Sequence, residues 1–378
     1  MSDSDISGLT SYRNWHAFTS GAPLQQAYEY PLFTHAHITG EIREGLGPYE
    51  LLNAVPEPHR RHSRPTLILR VEYCLRDKLE SQRLDKTDDK TYHGGYLQDE
   101  MAALVSLCLG IPLKSGGVTR VFEGGKDHRG RPVSWSFEDD PTLPQIPRSP
   151  VLPKVIGPHS LEDASVISTF PSLSSEDAIG LIRSARQYQD ALWIAESDPE
   201  LAWLMLVSAA ETAANRWRSA MESPVERLHA SKPDLEKLLE AEGGRELVQK
   251  VAPLVAPYMG STKKFVTFLT TFMPEPPPDR PPEALRISWS KKDMKRNLGD
   301  VYDCRSHALH GGIPFPLPMC MPVRMKEEKP VGSMVSSYGV WLAKDTPMLL
   351  HVFEYIVRNS LLKWWKSMLS DENSEKSG

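Results

Sequence analysis

The sequence predicts an α+β, multidomain protein: an N-terminal mixed α/β domain followed by a C-terminal all-α helical bundle. Three observations carry this reading. Short runs rich in β-forming residues, bounded by turn residues, are confined to residues 1–140. From residue 174 onward, apolar positions recur at helical spacing behind repeated capping signals. Between the two lie Pro141, Pro144, Pro147, Pro150, Pro153 and Pro158, each lacking a backbone donor and constraining the residue before it, so neither a helix nor a central strand runs through. Residues 141–172 are therefore expected to be a proline-rich linker or extended strap and residues 173–369 the bundle. Residues 370–378 are polar and are expected to be a disordered tail.

In the first part, residues 66–73 read as a strand. Residues 117–123 and 132–137 read as strands flanking a turn. Residues 97–109 form a compact apolar helix closed by Gly110. In the second part, Ser174 and Asp177 have capping-box spacing ahead of a helix over 178–195. Asp198 and Pro199 are an N-cap and first-turn pair that opens a helix to about residue 221, apolar on nearly all sides as far as Asn215 and so central in the bundle. Shorter helices are expected at 245–258 and 262–272. Ser290 and Asp293 again have capping-box spacing and start a helix to about His310, ended by Gly311 and Gly312. A last helix runs from Thr346-Pro347 to about Leu369. The six prolines of residues 274–282 and the group Pro314, Pro316, Pro318 and Pro322 are expected to be surface loops within the bundle.

Composition narrows the function classes. A chain of 378 residues buries a core without staples. Its net charge of −5 excludes a protein that is basic throughout but allows a local basic groove. No stretch approaches the roughly 18 apolar residues of a membrane span, and residues 1–10 lack the apolar core of a secretory signal. Cys74, Cys108, Cys304 and Cys320 show no C-x-x-C spacing, which argues against a zinc site and fits reduced thiols. A cytoplasmic protein with no membrane contact, no metal and no cofactor is the expectation.

The densest chemistry lies in Tyr302-Asp303-Cys304-Arg305-Ser306-His307-Ala308-Leu309-His310-Gly311-Gly312. Cleaving a phosphodiester without a metal needs a group that moves protons near neutral pH, which suits histidine. It also needs a fixed cationic fork on the phosphate, which suits arginine. A ribose 2′-hydroxyl then serves as internal nucleophile, a route open to RNA and closed to DNA. On an ideal helix Arg305 and His310 point about 140° apart. They converge only if the helix unwinds near Gly311 or if two copies share one cleft. Asp303, His307 and His310 share a face, so Asp303 orienting His307 makes that ring the competing imidazole. The plainer reading is a surface ion pair and a helix-terminal histidine.

An Arg-x4-His ending a helix of an α-bundle, followed by glycine, resembles the HEPN family, and within it most closely the Apea-like branch. The preceding apolar helix, residues 203–215 with Glu211 inside an alanine-rich run, is similar to the family's second signature helix. The resemblance covers residues 174–369 and leaves residues 1–140 without a role. It implies a four- or five-helix bundle that forms a homodimer and acts as a metal-independent endoribonuclease, often as a toxin or in antiviral defence. The motif residues carry over to Arg305 and His310, with Glu211, Ser306 and His307 in support. The family often has Asn, Asp or His directly after the arginine; here the residue is Ser306. Members that have lost catalysis act as binding or scaffold modules, which is the alternative expectation.

Further residues complete the candidate set. Lys291, Lys292, Lys295 and Arg296 form a basic stretch on the motif helix that can steer an RNA backbone, or simply be a solvated face. Glu211, a carboxylate among small apolar residues, needs a partner and is expected near the Arg305 helix. The basic run at 59–64 and the glycine-basic run at 124–131 read as loops, the latter lacking P-loop spacing. Trp364 and Trp365 read as core. Residues 1–140 are expected to receive a regulatory protein or ligand.

Overall fold

Glycine, proline and capping residues divide the chain where the sequence suggests, and packing then draws both parts into one core. The computed structural model describes residues 8–54, 66–75, 87, 89–123, 132, 141–219, 223–256, 260–324, 326–336 and 339–375. The N-terminal part comprises α1 (Thr10–Thr19), β1 (Gln26–Phe33), β2 (His37–Thr39), β3 (Tyr49–Asn53), β4 (Leu67–Tyr73), α2 (Leu97–Leu109), β5 (Lys114–Ser115) and β6 (Arg120–Glu123). β1 is the centre of an antiparallel sheet, with β4 on one side, β5 and β6 on the other, and β3 outside β4.

Sequence reasoning missed α1, β1, β2 and β3, and of these β1 is the one the sheet is built on. Pro31 and Glu29 both argue against a central strand. Pro31 is tolerated because its side of the ladder faces the gap between β5 and β6, where its carbonyl accepts from Gly116 N–H at 2.8 Å. Glu29 is fully buried but lies opposite Arg70 of β4 and Arg120 of β6, and accepts from Arg70 Nε at 2.9 Å. Two cross-strand cations thus offset the desolvation of one carboxylate.

α2 forms as expected, with Gly110 in the left-handed region at φ +69°. Its apolar residues are buried on every side, because it packs against α1, the sheet and the helices that follow. Glu100 of α2 accepts from Thr10 N–H at 3.1 Å and Ser11 N–H at 2.7 Å, capping α1. Of the other expected strands, the one at 117–123 is shortened to β6. The one at 132–137 lies outside the described residues apart from Pro132, as do the basic run at 59–64 and the turn at 124–131.

The segment after Pro141 is packed as it approaches the bundle. Residues 153–156 and 161–172 form 3-10 turns, and β7 (Pro158–Ser160) pairs in parallel with β2. Leu161, Ile167 and Phe170 are fully buried. Val151 and Leu152 N–H groups both donate to Glu196 at 3.1 Å. This stretch is a strap that seals the two parts together, because its apolar side chains outnumber its prolines in the core.

The helices that follow are α3 (Ser175–Ile194), α4 (Pro199–Ser219), α5 (Pro224–Ser231), α6 (Pro233–Val255), α7 (Ser261–Thr271) and α8 (Lys291–Ser306). β8 (Met334–Ser336), β9 (Gly339–Trp341) and α9 (Leu350–Glu375) complete the chain. Ser174, Asp198 and Ser290 cap α3, α4 and α8 as their spacing predicts. α5 and the first half of α6 were not anticipated; Pro224 and Pro233 start them as first-turn residues. Trp203 of α4 is stacked between Phe315 and Phe353 and donates to Met319 O at 3.2 Å. Trp364 and Trp365 are buried, as expected.

Two corrections follow. This part is not all-α, since the β-formers around Val335 and Val340 pair as the hairpin β8–β9. The final helix continues to Glu375, past the expected start of a disordered tail; residues 376–378 lie outside the described residues. The protein is therefore mixed α+β, with a sheet-bearing N-terminal region and a helical C-terminal region.

His93 supplies a pH test of this packing. Its Nε2 lies 2.7 Å from Glu100 Oε1, on the carboxylate that caps α1. Burial lowers its pKa, but the hydrogen bond and charge of Glu100 outweigh burial, so the net shift is upward. A raised folded-state pKa means the stabilisation is present below the unfolded value of about 6.5 and is lost as pH rises through the folded value. His16 and His159 shift downward and act with the opposite sign, but identically in a His93 variant. Urea unfolding at about pH 6 and about pH 9 should therefore show His93→Gln less stable than wild type at the lower pH, with the gap narrowing at the higher.

Candidate functional site

Glu211 is carried on α4 between the sealed pairs Ala209–Ala210 and Ala213–Ala214. A carboxylate in such a setting requires partners. α8 provides two. Tyr302 donates its hydroxyl to Glu211 Oε1 at 2.7 Å, and Arg305 donates from Nη2 to Oε2 at 2.9 Å. Residues 302 and 305 are three apart and share a helix face, so both reach the same carboxylate. The Arg305 guanidinium also lies over the Tyr302 ring, 5.4 Å from its centroid. The expected closeness of Glu211 to the Arg305 helix is met, and the fork of Arg305 is fixed along one edge. About 20% of the Arg305 side chain reaches the surface, while its Nε is buried without a partner. Burial, then the hydrogen bond and charge of Glu211, push the Tyr302 hydroxyl up to about 12, so it remains a donor near neutral pH.

Tyr302 is the residue whose role sequence reasoning missed. Its spacing of three from Arg305 puts it on the same helix face, but that this face meets Glu211 is set by how α8 packs on α4.

Beyond Ser306, which is half-buried at the end of α8, the helix widens. Residues 307–311 form a π turn in which Gly312 N–H donates to His307 O, five residues back. Gly312 closes it in the left-handed region at φ +62°, a conformation glycine adopts without strain. A turn closed over five residues advances less around the axis per residue than an α turn. It therefore swings His310 back from its ideal α position, about 140° away, toward the side of Arg305. The helix thus unwinds locally at the residues before Gly311. His310 and His307 are both exposed.

The expected pairing of Asp303 with His307 does not form. Both side chains are exposed, and no ion pair or hydrogen bond joins them. Water solvates each about as well as the partner would. Lys291, Lys292, Lys295 and Arg296 are exposed as expected, Arg296 lying 3.4 Å from Asp293. They sit at the start of α8, about 14–21 Å before Arg305 at the helical rise. Asp300 and Asp303 stand between. Burial and the neighbouring Asp303 raise the pKa of Asp300. Arg216 is held by Asp177 at 2.7 Å and by Glu176, so its charge is already used.

Apolar side chains frame the wide turn. Leu309, Ile313 and Leu317 are 51%, 54% and 48% exposed. The thiols are not poised as nucleophiles. Burial raises Cys74 and pushes Cys304 up to about 11 and Cys108 and Cys320 up to about 12. Among the described residues, no group of three or more His, Cys, Asp or Glu is placed to hold a metal ion, and no helix is long and apolar enough to cross a membrane.

No family model, curated protein or solved structure matches this chain.

The Glu211 cluster makes a stability prediction. Glu211→Ala leaves Arg305 and Tyr302 without their acceptor and should lower unfolding free energy by about 2 kcal/mol. In a double-mutant cycle with Arg305→Ala, measured by urea unfolding, the two losses should fall short of additive.

Proposed function

We propose that this chain is a metal-independent endoribonuclease of the HEPN type that acts as a homodimer. The observation that carries the reading is the wide turn after Arg305. It places an exposed imidazole, His310, one unwound turn beyond a guanidinium anchored by Glu211 and Tyr302. In this reading Arg305 holds the scissile phosphate and offsets charge developing on its oxygens. His310 moves the proton of the attacking ribose 2′-hydroxyl or of the leaving 5′-oxygen. The 2′-oxygen–phosphorus bond forms and the phosphorus–5′-oxygen bond breaks. The products are a 2′,3′-cyclic phosphate and a 5′-hydroxyl. Glu211 positions Arg305, and Ser306 and His307 flank the reacting groups. Lys291, Lys292, Lys295 and Arg296 guide the RNA backbone from the start of α8.

The exposed side chains of Leu309, Ile313 and Leu317 support the dimer, since a second copy covering them brings two turns together. A cytoplasmic toxin or antiviral defence role, with residues 1–140 receiving a protein or ligand trigger, belongs to the same proposal.

A second reading is a non-catalytic HEPN-like binding or scaffold module. Two observations favour it. The outward edge of Arg305 is narrow because Glu211 occupies the rest, and Asp300 and Asp303 place negative charge between the basic stretch and the turn.

The two readings separate in one assay. Purified protein incubated with RNA in EDTA should yield cyclic phosphate and 5′-hydroxyl ends. His310→Ala, with an unchanged circular dichroism spectrum, should lose about 10²–10⁴ of the rate. Wild type and His310→Ala cutting equally would assign the cleavage elsewhere, and no cutting by a folded dimer would favour the scaffold.

A further inference from the structure

The prolines that mark the joints of the sequence have a second consequence. Three of them, from segments more than a hundred residues apart, line one cavity of about 240 Å³ beside the start of α9. Pro153 comes from the strap, and Pro277 and Pro281 from the loop before α8. Val352 and Tyr355 of α9 complete walls that are mostly apolar. None of the lining residues belongs to the site around Arg305.

The charged groups lining this cavity cancel. Lys326 Nζ lies 2.7 Å from Asp279 Oδ2. Glu328 accepts from Arg280 Nε at 2.7 Å and from Ile287 N–H at 2.9 Å. Both ion pairs tie the loop at 274–282 to the loop after Pro322. Lys326 takes a left-handed backbone conformation at φ +60°, the one non-glycine residue to do so among the described residues. Such strain is kept where surrounding contacts over-determine the loop. The four charged lining residues sum to zero, but Asp279 is taken by Lys326 and Glu328 by Arg280 from behind the wall, so Lys154, with no carboxylate within ion-pair distance among the described residues, is the lining cation left to meet a ligand.

His351 also lines the cavity. Its Nδ1 is buried without a partner, and its Nε2 makes no hydrogen bond within the protein yet is not sealed. Burial, then the charge of Lys154, push the ring's pKa down to about 4, so it is neutral and donates from one nitrogen only.

We propose that this cavity is a binding site for a small organic monoanion with a flat apolar body, its carboxylate met by Lys154 and by Nε2–H of His351. Lys154, the lining cation without an ion pair, sets the ligand's charge. The proline and tyrosine walls set its shape. The two ion pairs and the fixed proline backbones hold the walls before the ligand arrives, so little conformational freedom is lost on binding.

The test uses the full chain with three probes of one shape: 2-naphthoate, the neutral 2-naphthamide and the cationic 2-naphthylmethylammonium. Ligand-observed NMR titration should show naphthoate binding about tenfold or more tightly than the amide, and the cation weakest. Lys154→Met, a surface substitution, should remove the preference for naphthoate over the amide. Val323→Trp, which fills the cavity, should abolish binding of both while the circular dichroism spectrum stays unchanged. Equal affinity for naphthoate and the amide would overturn the proposal. So would naphthoate binding unaffected by Lys154→Met, or no binding of naphthoate by wild type.

Discussion

The geometry of the candidate site depends on one carboxylate. Glu211 lies on a helix face of alanines, where small side chains let α8 approach and where an unpaired charge is intolerable. α8 answers with a hydroxyl and a guanidinium from one face. That pair of contacts fixes the height and rotation of α8 on α4. It thereby fixes where the chain emerges after Ser306. Everything distinctive about the site follows from that exit: a glycine pair, a turn closed over five residues, and two histidines left in solvent. The cluster also explains why Arg305 is rigid on one edge and open on the other.

The sheet and the helices are joined through α2, which is sealed all round. Arg358 of α9 donates from Nε to Leu107 O at 3.0 Å, meeting the open carbonyls at the end of α2. Glycine suits that point because the backbone there is left-handed at φ +69°, where a side chain is strained. At the other end, Glu100 caps α1. The strap closes the same seam from outside, through Glu196 and the buried Phe170. The parts that the sequence separates by proline are thus physically continuous, and the prolines serve to fix the course of the strap and the loops around α9.

Local signals were legible and non-local ones were not. Ser174, Asp198 and Ser290 announce their helices because capping is a contact within four residues. Gly110 ends α2 for the same reason. β1 was invisible because its tolerance of Pro31 and Glu29 is supplied by Arg70, Arg120 and the gap between two partner strands. α5 was hidden because its small core with α6 is shared across a loop. At the site, the need of Glu211 for a partner was readable, and so was Arg305 as a candidate. Tyr302 as the second partner, and the π turn that redirects His310, depend on how α8 seats against α4. The Asp303–His307 pair failed because spacing alone does not make two solvated side chains meet.

A basic stretch at one end of α8, acidic residues at its middle and histidines at its far end give the helix a graded surface. The proposed ribonuclease chemistry requires that the group attacked near Arg305 be a phosphate flanked by a ribose 2′-hydroxyl. The most direct measurement is cleavage, in EDTA, of an oligoribonucleotide carrying a single 2′-deoxy nucleotide at the mapped cleavage position, beside its all-ribose counterpart. The all-ribose strand should be cut at that position and the substituted strand spared there. Equal cutting of the two strands, or cutting of neither, would contradict that chemistry.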